Sequence, residues 1–263
     1  MSATGYILET RRLDVTVPGR ALVSALDLAI EPGEFVAMLG PNGTGKTLSM
    51  LTLAGLRKPA AGEVLLDGEP VPSLSRPAIA KKLALLPQDV DDIFPATVLD
   101  TVLIGRHPHI PRLQWESGAD REIAVDALRK MDIADLGARD ILTLSGGERR
   151  RAAVAQILTQ APAIYLLDEP TNHLDPQHQL DVLNVFRRAT EDGAAVIASL
   201  HDVNLAVRYA DRCLLLFGDG RWQLGDTVDI LNERTLETLY GTPIDAVPWR
   251  SKTLFIASGD VRA

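Results

Sequence analysis

The chain has 263 residues, 46% hydrophobic, 24% charged and 5% aromatic, a globular composition long enough for one large domain or two small ones, which excludes disorder and fibre. With 35 acids against 27 bases the formal charge is −8, so nucleic acid is not the default partner. The single Cys213 sits in the apolar run "CLLLF", "MSATGYILETRR" lacks an apolar signal core, and no stretch approaches the ~18 apolar residues that cross a bilayer; the expectation is a soluble chain in a reducing compartment, with Cys213 a buried strand residue.

In chain order, residues 6–30 alternate weakly and read as an antiparallel edge. Short apolar runs follow, separated by longer helical patterns: "FVAML" (35–39), "LALLP" (83–87), "AIYLLD" (163–168), "AAVIAS" (194–199) and "CLLLF" (213–217). Such runs are strands buried on both faces, and their alternation with helices predicts an α/β fold with a mixed, mainly parallel sheet. Between 89 and 160 the pattern changes. "ADREIAVDALRKM" and "RRRAAVAQIL" carry apolar residues at helical spacing with no comparable strand between them, which predicts a helical insertion. No internal repeat or low-complexity segment interrupts the chain.

The strongest chemical signal is "GPNGTGKT", Gly40, Pro41, Asn42, Gly43, Thr44, Gly45, Lys46 and Thr47, which fits G-x-x-x-x-G-K-[ST] without a mismatch. It follows the strand "FVAML" and precedes "LSMLTLAG", a helix that begins near Leu48, the context a phosphate loop requires. Glycines let successive N–H groups turn inward around a phosphate, and the helix adds its positive end. Lys46 is expected to reach the β- and γ-phosphates and the Thr47 hydroxyl to bind Mg²⁺. At "AIYLLDEP" a second strand ends in Asp168 and Glu169, at the carboxyl edge where ligands collect in open α/β sheets. Asp168 suits a Mg²⁺-linked role, and Glu169 the role of general base toward a water that attacks the γ-phosphate. In "LDPQHQLDVL", Asp175 fits an N-cap and Pro176 the first helical position.

"LSGGERRR", 144–151, reads by itself as a helix start, because Ser145 followed three residues later by Glu148 makes a capping box. Taken with the phosphate loop, Gln88 in "LLPQD", "DEPTNHLD" and His201 in "SLHD", it resembles the ATP-binding cassette (ABC) ATPases in order and spacing over nearly the whole chain. The resemblance implies a P-loop NTPase core with an antiparallel β edge, spanning 1–88 and 161–235 of one domain over 1–263. A helical subdomain would occupy 89–160 and a short C-terminal extension 236–263. It implies that two cassettes close head to tail, so that Ser145, Gly146, Gly147, Glu148 and Asp175 serve the ATP of the opposite protomer. Gln88 would reach Mg²⁺ and the attacking water, and His201 would contact the γ-phosphate.

Arg149, Arg150 and Arg151 are assigned to solvent or subdomain contacts, and His107 and His109 in "GRHPHI" to a surface loop without metal. The family's adenine-stacking aromatic falls on Val17 in "VTVPGR", where this chain departs from the pattern. One phosphate loop and one signature imply a homodimer, and the missing membrane span implies separate permease subunits, an indirect link to a substrate-binding protein, and a peripheral place on the cytoplasmic face of the cell membrane. "DDIFPATV", with Asp91 and Asp92, is the expected permease contact. "TVLDTVLIGRHPHI" and "ETLYGTPIDAV" look most like the ATPase subunits of bacterial importers of ferric siderophores, haem and vitamin B12. The other class weighed is a soluble ABC ATPase in cofactor assembly or nucleic-acid repair.

Overall fold

A computed structural model describes residues 5–89, 95–111, 113–250 and 252–258. The chain opens with β1 (Leu8–Val17) and β2 (Arg20–Ile30), joined by Pro18–Gly19 with Gly19 at φ 74, the residue order of a type II turn. There follow β3 (Phe35–Leu39), α1 (Lys46–Leu53), β4 (Ala61–Leu66), β5 (Glu69–Pro70), α2 (Arg76–Lys82) and β6 (Leu83–Leu86). After β6 come α3 (Val98–Leu103), α4 (Gly118–Lys130) and α5 (Gly146–Gln160), linked by 3-10 turns, with no strand among the described residues of this stretch. The chain returns to the sheet at β7 (Ile164–Leu167), then α6 (Pro176–Glu191), β8 (Ala195–Ser199), α7 (Val203–Tyr209), β9 (Arg212–Leu216) and β10 (Trp222–Asp226). It ends with α8 (Thr227–Ile230), α9 (Glu233–Tyr240) and the hairpin β11 (Ile244–Trp249) and β12 (Lys252–Ala257).

Two sheets stack in layers. The larger runs β10-β9-β3-β8-β7-β6 and is parallel except for the β10 edge, while β2-β1-β4-β5 forms an antiparallel sheet of its own. The five apolar runs read from the sequence are thus the five parallel strands, and every residue of β3, β7 and β8 is buried.

Alternation along β3 shows why. Phe35, Ala37 and Leu39 face one core with Phe186, Val154 and Leu128 on the helices, whereas Val36 and Met38 face the other with Leu26 and Leu28 of β2 and Met50 of α1. Successive strand residues point to opposite faces, so a strand between two apolar layers must be apolar throughout. Among the described residues no helix is long and apolar enough to cross a membrane.

Parallel order has a direct consequence for chemistry. The carboxyl ends of β6, β7, β8 and β3 emerge side by side on one edge, and the loops that follow them carry Gln88, Asp168, His201 and Gly40. Backbone bonds lock this edge. Asp168 N–H donates to the Leu86 carbonyl at 2.9 Å, and Leu200 N–H to that of Met38 at 3.1 Å.

Candidate functional site

At the end of β3 the chain turns through Gly40–Gly45 into α1. A Cβ on Gly40 would lie 2.4 Å from the Leu216 carbonyl oxygen, and Gly45 holds φ 104 with Leu22 packed 3.0 Å from where its Cβ would sit, so both places demand glycine. Gly45 also caps α1 without a side chain on the cap, which leaves the helix's first N–H groups for an external anion. The Lys46 ammonium is buried, donating to the carbonyls of Gly40 at 2.6 Å and Pro41 at 3.1 Å. Burial pulls it below the usual lysine value, opposed first by the Glu169 and then by the Asp168 carboxylate.

A cavity of about 430 Å³ lies over this loop, lined by Asn42, Gly43, Gly45, Lys46, Thr47 and Leu48, by Gln88, Glu169 and His201, and by Val17, Arg20 and Leu22. Residues from five separate stretches therefore converge where the sequence places a phosphate site. Asp168, only 1% exposed, is not among the lining residues of this cavity. Its Oδ1 accepts the Ser199 hydroxyl at 2.7 Å, and the same Ser199 oxygen accepts the Glu169 N–H at 2.8 Å.

Glu169 is the hub. Its Oε2 accepts from Gln88 Nε2 at 3.0 Å and from the Asn172 amide, and His201 Nε2 lies 2.6 Å from its Oε1. Its backbone takes φ 49, a conformation that costs a non-glycine residue energy and survives only where the surroundings dictate it. Ser199, Asn172, Arg20 and Leu22 are absent from the sequence reading. Ser199 carried one signal, a polar residue ending the apolar strand "AAVIAS". Asn172 carried another, standing three residues after Glu169 inside a motif already noted. Val17 does line the cavity, opposite Arg20 across the β1–β2 turn, and Arg20 Nε donates to the Gly218 carbonyl at 2.8 Å.

The second glycine motif lies elsewhere. Ser145 caps α5 by accepting the Glu148 N–H at 3.3 Å, while its own N–H and hydroxyl each donate to Glu148 Oε2 at 2.8 Å, so the capping box is real. Ser145 and Gly146 are exposed and do not line the Lys46 cavity. A Cβ on Gly147 would touch the His173 carbonyl at 3.4 Å, which sets this motif beside the segment leading to Asp175. Asp175 is also exposed and caps α6 through the His178 N–H at 2.9 Å. Arg150, by contrast, is only 5% exposed and points inward.

Outside the site, Cys213 is fully buried, and burial pushes its thiol up to about 11. His109 Nε2 lies 2.8 Å from the Gln160 carbonyl and His107 Nε2 3.5 Å from Glu116. Asp91 and Asp92 lie outside the described residues.

The family profile described as ABC transporter matches residues 23–172. The chain belongs to the ABC transporter family. This ABC cassette is an ATPase by that membership. It is 38% identical over 249 residues to the hemin import ATP-binding protein HmuV of Myxococcus xanthus, covering 92% of both chains. It is 41% identical over 217 residues to the cobalamin import ATP-binding protein BtuD of Halobacterium salinarum, covering 81% of this cassette and 53% of that relative. Among solved structures, the cassette superposes with TM-score 0.83 and 26% identity on an inward-facing ABC transporter of metal-chelate type, covering 97% of this chain and 98% of that one.

Proposed function

We propose that this cassette is the ATP-hydrolysing motor subunit of a membrane importer for an iron chelate, haem or cobalamin, working as a head-to-tail homodimer on a separate permease at the cytoplasmic face of the cell membrane. The observation that carries the chemistry is the convergence of Lys46, Gln88, Glu169 and His201 on one cavity. The relatives' import functions support the transport reading.

The α1 N–H groups and Lys46 hold the β- and γ-phosphates. Glu169 takes a proton from the attacking water, whose oxygen bonds the γ-phosphorus as the bond to the ADP oxygen breaks. His201 contacts the γ-phosphate. Thr47, Gln88 and Asp168 offer a hydroxyl, an amide and a carboxylate, hard oxygen donors that fit Mg²⁺, an ion which keeps waters and phosphate oxygens rather than an all-protein cage. Among the described residues no cluster of three or more His, Cys, Asp or Glu forms such a cage. Bound there, Mg²⁺ would neutralise charge between the β- and γ-phosphates.

Ser145, Gly146 and Asp175 are exposed, Gly147 and Glu148 half-buried, and none of the five lines their own cavity, which suits service to a partner's ATP. A strain lacking this chain, supplied in turn with hemin, a ferric siderophore and cobalamin, loses growth on the one its permease carries. Unchanged growth on all three contradicts the importer reading.

A further inference from the structure

Arg150 lies one turn into α5, inside the run of three arginines, and no step of the chemistry above uses it. Its guanidinium is buried among main-chain oxygens. Nη1 donates to the carbonyls of Pro87 at 2.6 Å and Gln88 at 3.2 Å, and Nη2 to those of Asp168 and Glu169, each at 2.8 Å. Nε donates to the Pro170 carbonyl at 3.4 Å. A guanidinium carries five N–H donors in a rigid fork, and here they meet five carbonyls on two segments. One segment bears Gln88 and the other bears Asp168 and Glu169.

We propose that Arg150 is the positioning residue of the hydrolytic site, fixing Gln88 and Glu169 against each other through their backbone carbonyls and tying both to the helix that starts at Ser145. Two further observations support this. Glu169 holds its left-handed φ of 49 with its N–H on Ser199 and its carbonyl on Arg150, so the strained peptide is pinned from both sides. The side chains of Gln88 and Glu169 then meet at 3.0 Å, a contact across 81 residues of sequence that neither segment can set alone. Because α5 begins at the signature, a shift of that helix when a partner's ATP engages Ser145 would pass through Arg150 to the residues beside this protomer's γ-phosphate.

The guanidinium also sits in a setting that resists a simple charge role. Burial pulls it down to about 10, opposed first by Asp168, then by Glu169 and Asp89, so it remains a cation at neutral pH. An ammonium at the same place would keep the charge with three donors on one point, enough for one segment and not for both.

The proposal rests on Glu169 as the base, and the test separates the two. Steady-state ATPase, fluorescent-nucleotide binding and thermal unfolding are measured for the full chain and for Arg150→Lys, Arg150→Met, Glu169→Gln and the double variant Arg150→Lys/Glu169→Gln, the last two by single turnover. Arg150→Lys should lower kcat on the order of tenfold to a hundredfold, the loss expected of a catalytic group misplaced by about 1 Å, with ATP affinity and KM within about threefold of wild type by the same reasoning, since the phosphate loop is untouched. Arg150→Met should behave alike, because charge is not the issue. In the double variant the arginine change should cost less than it does in the wild-type background, since one of the two residues it positions has already lost its function.

Wild-type kcat in Arg150→Lys overturns the proposal. So does a loss confined to ATP affinity, or a full extra loss in the double variant. If Glu169→Gln itself turns over normally, the reading of the base fails instead. Should Arg150→Lys unfold, Arg150→Met decides by the same kcat and KM split, and unfolding of both shows a purely structural role and overturns the proposal as well.

Discussion

Lys46, Glu169 and Val17 each make a separate demand on the nucleotide cavity. Replacing Lys46 by alanine removes the cation that the loop holds over Gly40 and Pro41, and ATPase activity should fall by a hundredfold or more, the scale of losing one electrostatic contact to the transferring group. Near-normal turnover in a folded Lys46→Ala protein would contradict the phosphate assignment. Glu169→Gln should keep the local geometry, because a glutamine can present its oxygen to Gln88 and Asn172 and its amide nitrogen to His201. It cannot take a proton. Hydrolysis should drop by roughly 10²- to 10⁴-fold, the share a general base supplies, with ATP binding retained in a filter or fluorescence assay. In the place expected for a base-stacking residue, Val17 would offer adenine only a small apolar contact, whereas an aromatic platform under a base is worth about 1–3 kcal/mol. Calorimetry should find Val17→Tyr tightening ATP by up to about tenfold, since 1.4 kcal/mol is a factor of ten, and a tyrosine that changes nothing would place base recognition on another residue. At this scale the sequence showed the residues that lie in contiguous motifs, such as Gly40–Thr47 and Asp168–Glu169. Ser199 and Arg150 were harder to read, because their roles consist of contacts to backbone and side chains 18 or more residues away, whereas Asn172 reaches Glu169 from three residues on, inside the quoted motif.

Two helices of the insertion begin with the same device. Ser117 and Asp120 form a capping box on α4 as Ser145 and Glu148 do on α5. Asp120 is tied in further by Arg106 Nε at 2.8 Å. The Ser117 hydroxyl first, then Arg106, holds the Asp120 carboxyl well below the usual carboxylate range. A depressed carboxyl stabilises the fold above its unfolded value of about 3.9, and that contribution is lost as pH falls toward the folded value. Ser117→Ala should therefore cost about 1 kcal/mol, as N-cap removal does, lower Tm by roughly 2–4 °C for a chain of this size, and leave ATP turnover per folded molecule unchanged. Ser145→Ala should cost a similar stability and slow hydrolysis as well. Equal turnover in the two variants would reduce "LSGGE" to a helix start. The same contrast explains what elements could be read in advance. The parallel strands announce themselves as unbroken apolar runs, because both faces are covered. β10 and the hairpin β11–β12 mix exposed and half-buried residues with polar ones, as in "WQLGD", and leave no such trace. β4 hides because its first half, "AGE", lies outside the core that buries "VLL".

On the scale of the whole molecule, the parallel sheet gathers the phosphate loop, Gln88, Glu169 and His201 on one edge, while Ser145 and Asp175 occupy a separate exposed face. On the proposed function, a single protomer holds two halves of a nucleotide site that do not meet within it. The proposed head-to-tail dimer would join the phosphate loop of one copy to the signature of the other. Light scattering in ATP and Mg²⁺ tests this most directly. Glu169→Gln, which binds ATP without consuming it, should have the mass of a dimer, and Glu169→Gln/Ser145→Arg should remain a monomer that binds ATP with unchanged affinity. A double variant that still dimerises, or one that has lost ATP binding as a monomer, would contradict a site shared between two copies.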